Sequence, residues 1–135
     1  MKKFLTIVMT VIILVAAITS STVTFAASVP TTTITSVKVQ SKAFTVKWKK
    51  KTGITGYQIQ YSTSSKFSKK STKTVKIKKA KTTSKKITDL KSSKKYYVRV
   101  RTYKNSKKKT DYSAWSKKKS ITTKQAKHCT NNNNH

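Results

Sequence analysis

The chain has 135 residues, a length that favours one domain over two. Lysine and arginine total 32 against two acidic residues, which gives a formal net charge of +30 and leaves almost no carboxylates for acid–base chemistry. A single cysteine excludes a disulfide within the chain, while a hydrophobic content of 35% is compatible with the core of a small β-sandwich.

Residues 1–27 have the pattern of a secretory signal peptide. Lys2 and Lys3 provide a positive start, an apolar run over residues 4–18 follows, and small residues predict cleavage after Ala26 or one residue later. The run is shorter than the ~20 residues that span a bilayer. An uncleaved anchor that extends to residue 27 is the alternative. We expect a secreted, extracellular protein with no membrane-spanning segment once the leader is removed, associated with the cell envelope if charge or a partner retains it.

Apolar and polar side chains alternate through residues 29–124, so that each run has one apolar and one polar face, and no segment keeps a helical period. In one such run Phe44, Val46 and Trp48 are the apolar members. Clusters of Ser, Thr, Lys and Asn separate the runs as turns. The predicted strands cover residues 34–39, 43–49, 56–62, 73–78, 82–88, 95–103 and 115–122. Seven short strands in about 95 residues predict an all-β fold, an immunoglobulin-like antiparallel sandwich of two sheets.

Residues 125–135 are predicted to be a disordered tail, which contains His128 and the single cysteine, Cys129. In an oxidising compartment two interpretations of Cys129 are open, a free thiol or an intermolecular disulfide. One histidine beside one cysteine falls short of the three or four protein ligands of a stable zinc site, so we predict no metal.

Several spaced residues resemble the fibronectin type III domain, especially the versions in secreted and surface proteins of low-GC Gram-positive bacteria. Trp48 stands where this family has the core tryptophan of its second strand. Leu90 and Tyr96 match the family's Leu-x5-Tyr corner, and Trp115 lies in an Ala-Trp-Ser segment similar to that of its last strand. The resemblance implies a sandwich over residues 28–124 with Trp48, Leu90 and Tyr96 in its core and the Tyr96 hydroxyl bonded to the backbone. It implies little about function, because such sandwiches have many unrelated roles.

Asp89 and Asp111 are the only carboxylates, and the strand assignment places them at opposite ends of the sixth strand. A nine-residue strand spans about 30 Å, whereas the two carboxylates of a glycosidase lie within about 5–10 Å. Turn and loop positions suit both aspartates better. There is also no Gly-rich phosphate loop and no Gly-x-Ser-x-Gly elbow. We therefore predict a domain that is not an enzyme and has no cofactor and no small-molecule substrate.

The polar side chains of the sixth predicted strand are the first candidate binding surface. Tyr97, Arg99, Arg101 and Tyr103 alternate with apolar neighbours, so they share one face, which Trp115 joins from the last predicted strand. In one interpretation the guanidinium groups stack on Trp115 and the tyrosines, similar to the Trp/Arg ladder of cytokine-receptor domains. In the other interpretation the face is a platform for sugar rings or nucleic-acid bases. We favour the stack because arginine occurs only here, while every other cation is lysine.

The second candidate is the basic run Lys107, Lys108 and Lys109, which residues 117–119 extend. Lysine clusters bind anionic polymers with little geometric specificity. Our hypothesis is a secreted, non-catalytic binding module of the bacterial cell envelope, retained by teichoic acid, anionic lipid, glycan or nucleic acid. Two alternatives are open. One is a structural or protein-interaction module, a spacer or subunit that docks a protein partner or dimerises through Cys129. The other is a lysine excess that only reflects the base composition of the gene.

Overall fold

The computed structural model describes residues 28–126, within which eight antiparallel strands form two sheets. The first sheet has the order β1-β2-β5 and contains β1 (Ile34–Gln40), β2 (Ala43–Trp48) and β5 (Ser84–Ile87). The second sheet contains β3 (Gly56–Ser62), β4 (Thr72–Ile77), β6 (Lys95–Asn105), β7 (Thr110–Tyr112) and β8 (Lys119–Thr122). Its order is β4-β3-β6, and both β7 and β8 pair with β6. The predicted all-β sandwich is confirmed.

Helix is almost absent from this part of the chain. A 3-10 turn at Lys69–Ser71 precedes β4, and no helix in residues 28–126 has the length and apolar character needed to cross a membrane. The predicted leader and most of the predicted tail, including His128 and Cys129, lie outside the described residues.

The core lies between the two sheets because alternate side chains of each strand point inward. Phe44 and Trp48 extend from β2, and Ile59 and Val98 come from the opposite sheet; all four are buried. The Trp48 ring packs on that of Tyr57 with the ring centroids 5.2 Å apart. This contact joins the two sheets where β2 ends and β3 begins.

The corner before β6 is held by the side chain of Tyr96. The backbone N–H of Lys91 donates to the Tyr96 hydroxyl at 3.1 Å, and both Tyr96 and Leu90 are buried in the core. Thr123 clamps the same turn, because its hydroxyl donates to the Lys91 carbonyl at 2.5 Å and accepts from the Lys94 N–H at 3.0 Å. The segment after β8 is therefore fastened to the corner.

The last predicted strand, over residues 115–122, is wrong in its first half, and the strand count is eight rather than seven. A separate short strand, β7, pairs with the end of β6, and β8 begins only at Lys119. Between them the chain still follows β6, but two serine hydroxyls replace backbone carbonyls as partners. Ser113 Oγ accepts from the Thr102 N–H and Ser116 Oγ from the Val100 N–H, each at 3.0 Å. A regular ladder does not form there because side chains already satisfy the β6 amides.

Candidate binding surface

The outer face of the five-stranded sheet carries a stack of alternating aromatic rings and guanidinium groups. Its order is Phe67, Arg99, Trp115, Arg101 and Tyr112. The guanidinium carbon of Arg99 lies 4.0 Å from the Phe67 ring centre and 4.4 Å from that of Trp115. The guanidinium carbon of Arg101 lies 4.3 Å from the Trp115 ring centre and 3.9 Å from that of Tyr112. Each guanidinium is thus covered on both planar faces, and so is the indole of Trp115.

The spacing of the stack follows from strand geometry. Arg99 and Arg101 are two residues apart on β6, so they emerge on the same face about 7 Å from one another. That distance is close to two ring-stacking separations, and a single indole fits between the two guanidinium planes. Trp115 lies in this gap and belongs to the irregular segment between β7 and β8. The next residue, Ser116, is hydrogen-bonded to β6.

Two glutamines of β3 fix the edges of the guanidinium groups. Gln60 Oε1 accepts from Arg99 Nε at 3.0 Å and from Arg99 Nη2 at 2.7 Å. Gln58 Oε1 accepts from Arg101 Nε at 2.7 Å. Each glutamine lies directly across from its arginine in the β3–β6 register. A planar guanidinium can be stacked and held at its edge at the same time, which an ammonium group cannot, and this explains why arginine occupies both positions.

Burial lowers the pKa of both guanidinium groups, and for Arg99 the positive charge of Arg101 lowers it further. Both groups stay charged at neutral pH, because the ordinary pKa of arginine lies far above neutrality. Two positive charges therefore lie close together among the rings, and no carboxylate of the stack neutralises them. The negative ring faces and the glutamine oxygens are what stabilise those charges.

The prediction that Tyr103 belongs to the exposed surface is wrong. Its side chain is fully buried (0% exposed), although it shares the outward register of Arg99 and Arg101. Its partner across the β3–β6 pair is Gly56, which has no side chain, and the phenol ring lies across that gap. The Tyr103 hydroxyl donates to the Ile77 carbonyl at 3.4 Å, while Lys76 Nζ lies 4.4 Å from the ring centre. Burial, and then the neighbouring Tyr112, raise the pKa of the Tyr103 hydroxyl.

Tyr97 lies on the same face but outside the stack. Lys95 Nζ and Lys118 Nζ lie 5.7 Å and 5.8 Å from its ring centre, so lysines rather than arginines accompany it. Phe67 and Tyr112, which do belong to the stack, were not predicted. Phe67 lies in a stretch of Lys, Ser and Thr that has no strand pattern. Tyr112 reaches the stack through the short β6–β7 hairpin, in which it pairs with Tyr103.

The sequence left open whether this face is a stack or a platform for rings, and the structure shows the stack. Because Arg99 and Arg101 cover both faces of the indole, Trp115 has no free ring face for a sugar or a base. Tyr112 is 39% exposed and is the one exposed large hydrophobic residue among residues 28–126. Since both arginines are engaged in the stack and only partly exposed, the fully exposed cations of residues 28–126 are lysines.

Lys107, Lys108 and Lys109 are all exposed, in the turn between β6 and β7. Ser106 closes this turn, since its backbone N–H donates to the Lys109 carbonyl at 2.8 Å. Lys109 Nζ pairs with Asp111 at 3.0 Å, with the two side chains 71% and 44% exposed. An exposed ion pair of this kind contributes little stability, but it does offset one of the three charges of the cluster.

Both aspartates of the described residues bond to a side chain close to them in sequence. Asp111 is engaged by Lys109, while Asp89 accepts a hydrogen bond from the Thr88 hydroxyl at 2.8 Å. Asp89 has a φ of 60°, a left-handed conformation that aspartate tolerates in turns, as expected for a turn residue. Residues 28–126 contain no group of three or more His, Cys, Asp or Glu side chains that could hold a metal ion.

Solved structures with the same fold come from very different proteins. The FN1–FN3 domains of chicken CNTN1 are 27% identical, with a TM-score of 0.58 over 70% of this chain and 30% of that one. This chain thus spans less than a third of that structure. The fn3 domain of human contactin 1 is 20% identical, with a TM-score of 0.62 over 84% of this chain and 98% of that one. A β-1,2-glucanase from Parabacteroides distasonis is 19% identical, with a TM-score of 0.60 over 75% and 14%.

Similarity below 25% identity shows the fold alone, and no curated protein matched the sequence. The family itself is established by the sequence. The profile of the fibronectin type III domain matches residues 28–119, which include both sheets up to the start of β8. The chain belongs to the fibronectin type III family.

Proposed function

We propose that this domain is a secreted, non-catalytic binding module of the bacterial cell envelope, retained by anionic polymers through its lysine-rich surface. One observation carries the proposal. Every lysine in residues 28–126 is exposed except Lys51, which is half-buried, and only Lys109 forms an ion pair with an acidic residue in that range. The surface thus presents many unpaired ammonium groups and almost no negative charge.

Such a surface suits a polyanion better than a small ligand. The excess of lysine, with only two acidic residues in the sequence, produces a long-range positive potential, which attracts anions and speeds association. Lysines bind phosphate and sulfate groups as solvated point charges, and the release of condensed counterions then drives binding. Affinity of this kind falls steeply as salt rises.

The absence of catalytic groups in the described residues also fits a binding role. Fibronectin type III domains are generally non-catalytic modules. In the glucanase from Parabacteroides distasonis the similar region covers only 14% of the chain, so the same fold there forms a small part of a larger enzyme.

Retention across a salt gradient tests the proposal. The purified protein without residues 1–27 is applied to bacterial cell walls that bear teichoic acid, to walls stripped of it, and to heparin. We expect elution only well above physiological salt, and stronger retention on the walls that bear teichoic acid. Lysine acetylation should abolish retention because it removes the charge, whereas lysine methylation should preserve it because the charge stays.

Elution near physiological salt from every matrix would contradict the proposal. The lysines would then be a solvated surface of compositional origin. Attention would pass to a structural or protein-interaction module, for which a reducible dimer through Cys129 is the specific prediction.

A further inference from the structure

The outward face of the three-stranded sheet carries an ordered array of lysine and hydroxyl side chains. One cross-strand row contains Lys38, Thr45 and Lys86, and the next contains Ser36, Lys47 and Ser84. We call these six residues the basic face. The apolar residues of the same strands, such as Val46, point to the core, so strand alternation fixes the direction of all six.

Strand geometry also fixes the spacing of the three lysines, Lys38, Lys47 and Lys86. Lys38 and Lys86 flank Thr45 in one row, so they are two interstrand distances, about 10 Å, apart. Lys47 lies two residues further along the middle strand, about 7 Å from that row. The three lysines therefore form a triangle with sides of about 8–10 Å.

The charges of the basic face are accessible and uncompensated. Lys38, Lys47 and Lys86 are exposed, as are the hydroxyl residues Ser36 and Ser84. Neither aspartate of residues 28–126 belongs to the face. Asp111 pairs with Lys109 on the other sheet, and Asp89 lines a cleft beside Tyr61 and Lys73.

The opposite face of the sandwich presents its cations differently. Arg99 and Arg101 have both guanidinium faces covered by rings and their Nε groups bonded to glutamines. In the turn after β6, the charge of Lys109 is offset by Asp111. Two exposed strand lysines of that sheet, Lys76 and Lys95, have their Nζ atoms 4.4 Å and 5.7 Å from tyrosine ring centres. Among residues 28–126, the three lysines of the basic face form no ion pair and lie against no aromatic ring.

The composition of the basic face also restricts the chemistry of its ligand. It contains no aromatic ring on which a base or a sugar could stack, and no arginine for bidentate recognition. The ammonium groups donate hydrogen bonds to anionic oxygens such as those of phosphate, and the hydroxyl groups can both donate and accept. A fitting polymer carries one negative charge per short, flexible repeat. A repeat of six backbone bonds, twice a peptide unit, spans about 7 Å when extended, which approaches the spacing of the lysines.

From these observations we infer that the basic face is the principal contact surface for a linear phosphodiester polymer of the cell wall, of the poly(glycerol phosphate) type. The inference rests on the proposed function and assigns it a site and a ligand class. The polymer would run across β1, β2 and β5, with its phosphates at Lys38, Lys47 and Lys86 and the serine hydroxyls donating between them.

Two charge-matched triple variants test the inference. Lys38→Gln/Lys47→Gln/Lys86→Gln removes three charges from the basic face, and Lys107→Gln/Lys108→Gln/Lys117→Gln removes three from exposed positions beside the other sheet. Both are compared with the unsubstituted protein for binding to immobilised poly(glycerol phosphate) between about 0.05 and 0.5 M salt, a range over which screening changes strongly. Urea denaturation checks that each variant is folded.

We expect the triple variant of the basic face to bind at least about tenfold more weakly near physiological salt. The slope of log K against log salt should fall by about 2, since each lost phosphate contact contributes roughly 0.7 on a flexible strand. The second triple variant should lose less than about threefold, through long-range potential alone.

Equal losses in the two variants, with strong binding by the unsubstituted protein, would overturn the inference and leave the proposed function standing. Tighter binding to single-stranded DNA or heparin at equal charge concentration would overturn the assigned ligand class. If the unsubstituted protein dissociated from poly(glycerol phosphate) and from cell walls near physiological salt, the proposed function would fail, and the inference with it.

Discussion

The guanidinium carbon of Arg101 lies 4.3 Å from the centre of the Trp115 ring, although Trp115 belongs to no strand. The position of the indole therefore depends on the irregular segment between β7 and β8. That segment is held to β6 by the hydroxyls of Ser113 and Ser116, and by their backbone N–H groups, which donate to the Thr102 and Val100 carbonyls. The stack and the segment between β7 and β8 therefore stabilise each other, and a substitution in either one should destabilise the same edge of the sheet.

Replacing Arg99 by lysine keeps the charge and should still destabilise the domain. The planar group between Phe67 and Trp115 is lost, together with two donors to Gln60. Because cation–π contacts contribute about 0.5–2 kcal/mol depending on solvation, we expect the free energy of unfolding to fall by about 1 kcal/mol. Urea denaturation at fixed salt measures this change.

A double-mutant cycle provides the control for the stack. In a Trp115→Leu background the Arg99→Lys substitution should cost less, since one of its two rings is already gone. If the cost were the same in both backgrounds, stacking on Trp115 would not contribute to stability, and the contact with Phe67 and the bonds to Gln60 would account for the effect.

Replacing Ser116 by alanine should destabilise the domain by about 1–3 kcal/mol, because the Val100 N–H would lose its side-chain partner in a buried site. Ser120 offers a matched control, as it lies in β8 and is exposed. Ser120→Ala should change the free energy of unfolding by less than about 0.5 kcal/mol. Equal effects of the two substitutions would show that the serine hydroxyl does not replace a strand partner at this point.

The corner before β6 allows a test with two adjacent tyrosines. Tyr96→Phe removes only the hydroxyl that accepts the Lys91 N–H, and we expect a loss of about 1–2 kcal/mol in unfolding free energy. Tyr97→Phe removes the same atom from a half-buried ring on the outer face and should be nearly neutral. A neutral Tyr96→Phe would mean that ring burial alone holds the corner.

Strand alternation was enough to predict the sandwich, because each inward residue such as Val46 or Val98 has an apolar neighbour two positions away. The same rule predicted Arg99 and Arg101 on one outer face, and it was wrong about the exposure of Tyr103. Register decides that exposure, since Gly56 lies directly opposite on β3, and register between distant strands cannot be read from local periodicity.

Trp115 and Phe67 illustrate a second limit of the sequence. Trp115 was assigned to a strand because its neighbours resemble a strand end, whereas hydroxyl groups from Ser113 and Ser116 hold this segment without a regular ladder. Phe67 has a φ of 54° and lies among lysines and serines, so no period indicates which way it faces. Only the packed structure brings it to Arg99.

The gap that Tyr103 fills gives a further prediction. A Cβ atom at Gly56 would overlap the Ile77 carbonyl oxygen and come within 3.0 Å of the Tyr103 hydroxyl. Gly56→Ala should therefore cost about 3 kcal/mol or more, because backbone must move to accept it. At Gly53 a Cβ would meet nothing within 4 Å, and only the positive φ of 70° resists, so Gly53→Ala should cost about 1 kcal/mol. Comparable losses at both sites would show that conformation, and not space, requires glycine at position 56.

Salt should act on stability and on binding in opposite directions. The excess of lysine over acidic residues makes the folded domain repel itself, and screening relieves that repulsion, so Tm should rise by several degrees between about 0.02 and 0.5 M salt. Over the same range the affinity for a polyanion should fall, because counterion release becomes less favourable. Calorimetry and retention measured in the same buffers test both signs, and lysine acetylation should flatten both responses. A Tm that did not respond to salt would show that the exposed lysines lie too far apart to repel one another. Binding of a polyanion would then not relieve charge repulsion within the domain, and its affinity would come from the direct contacts alone.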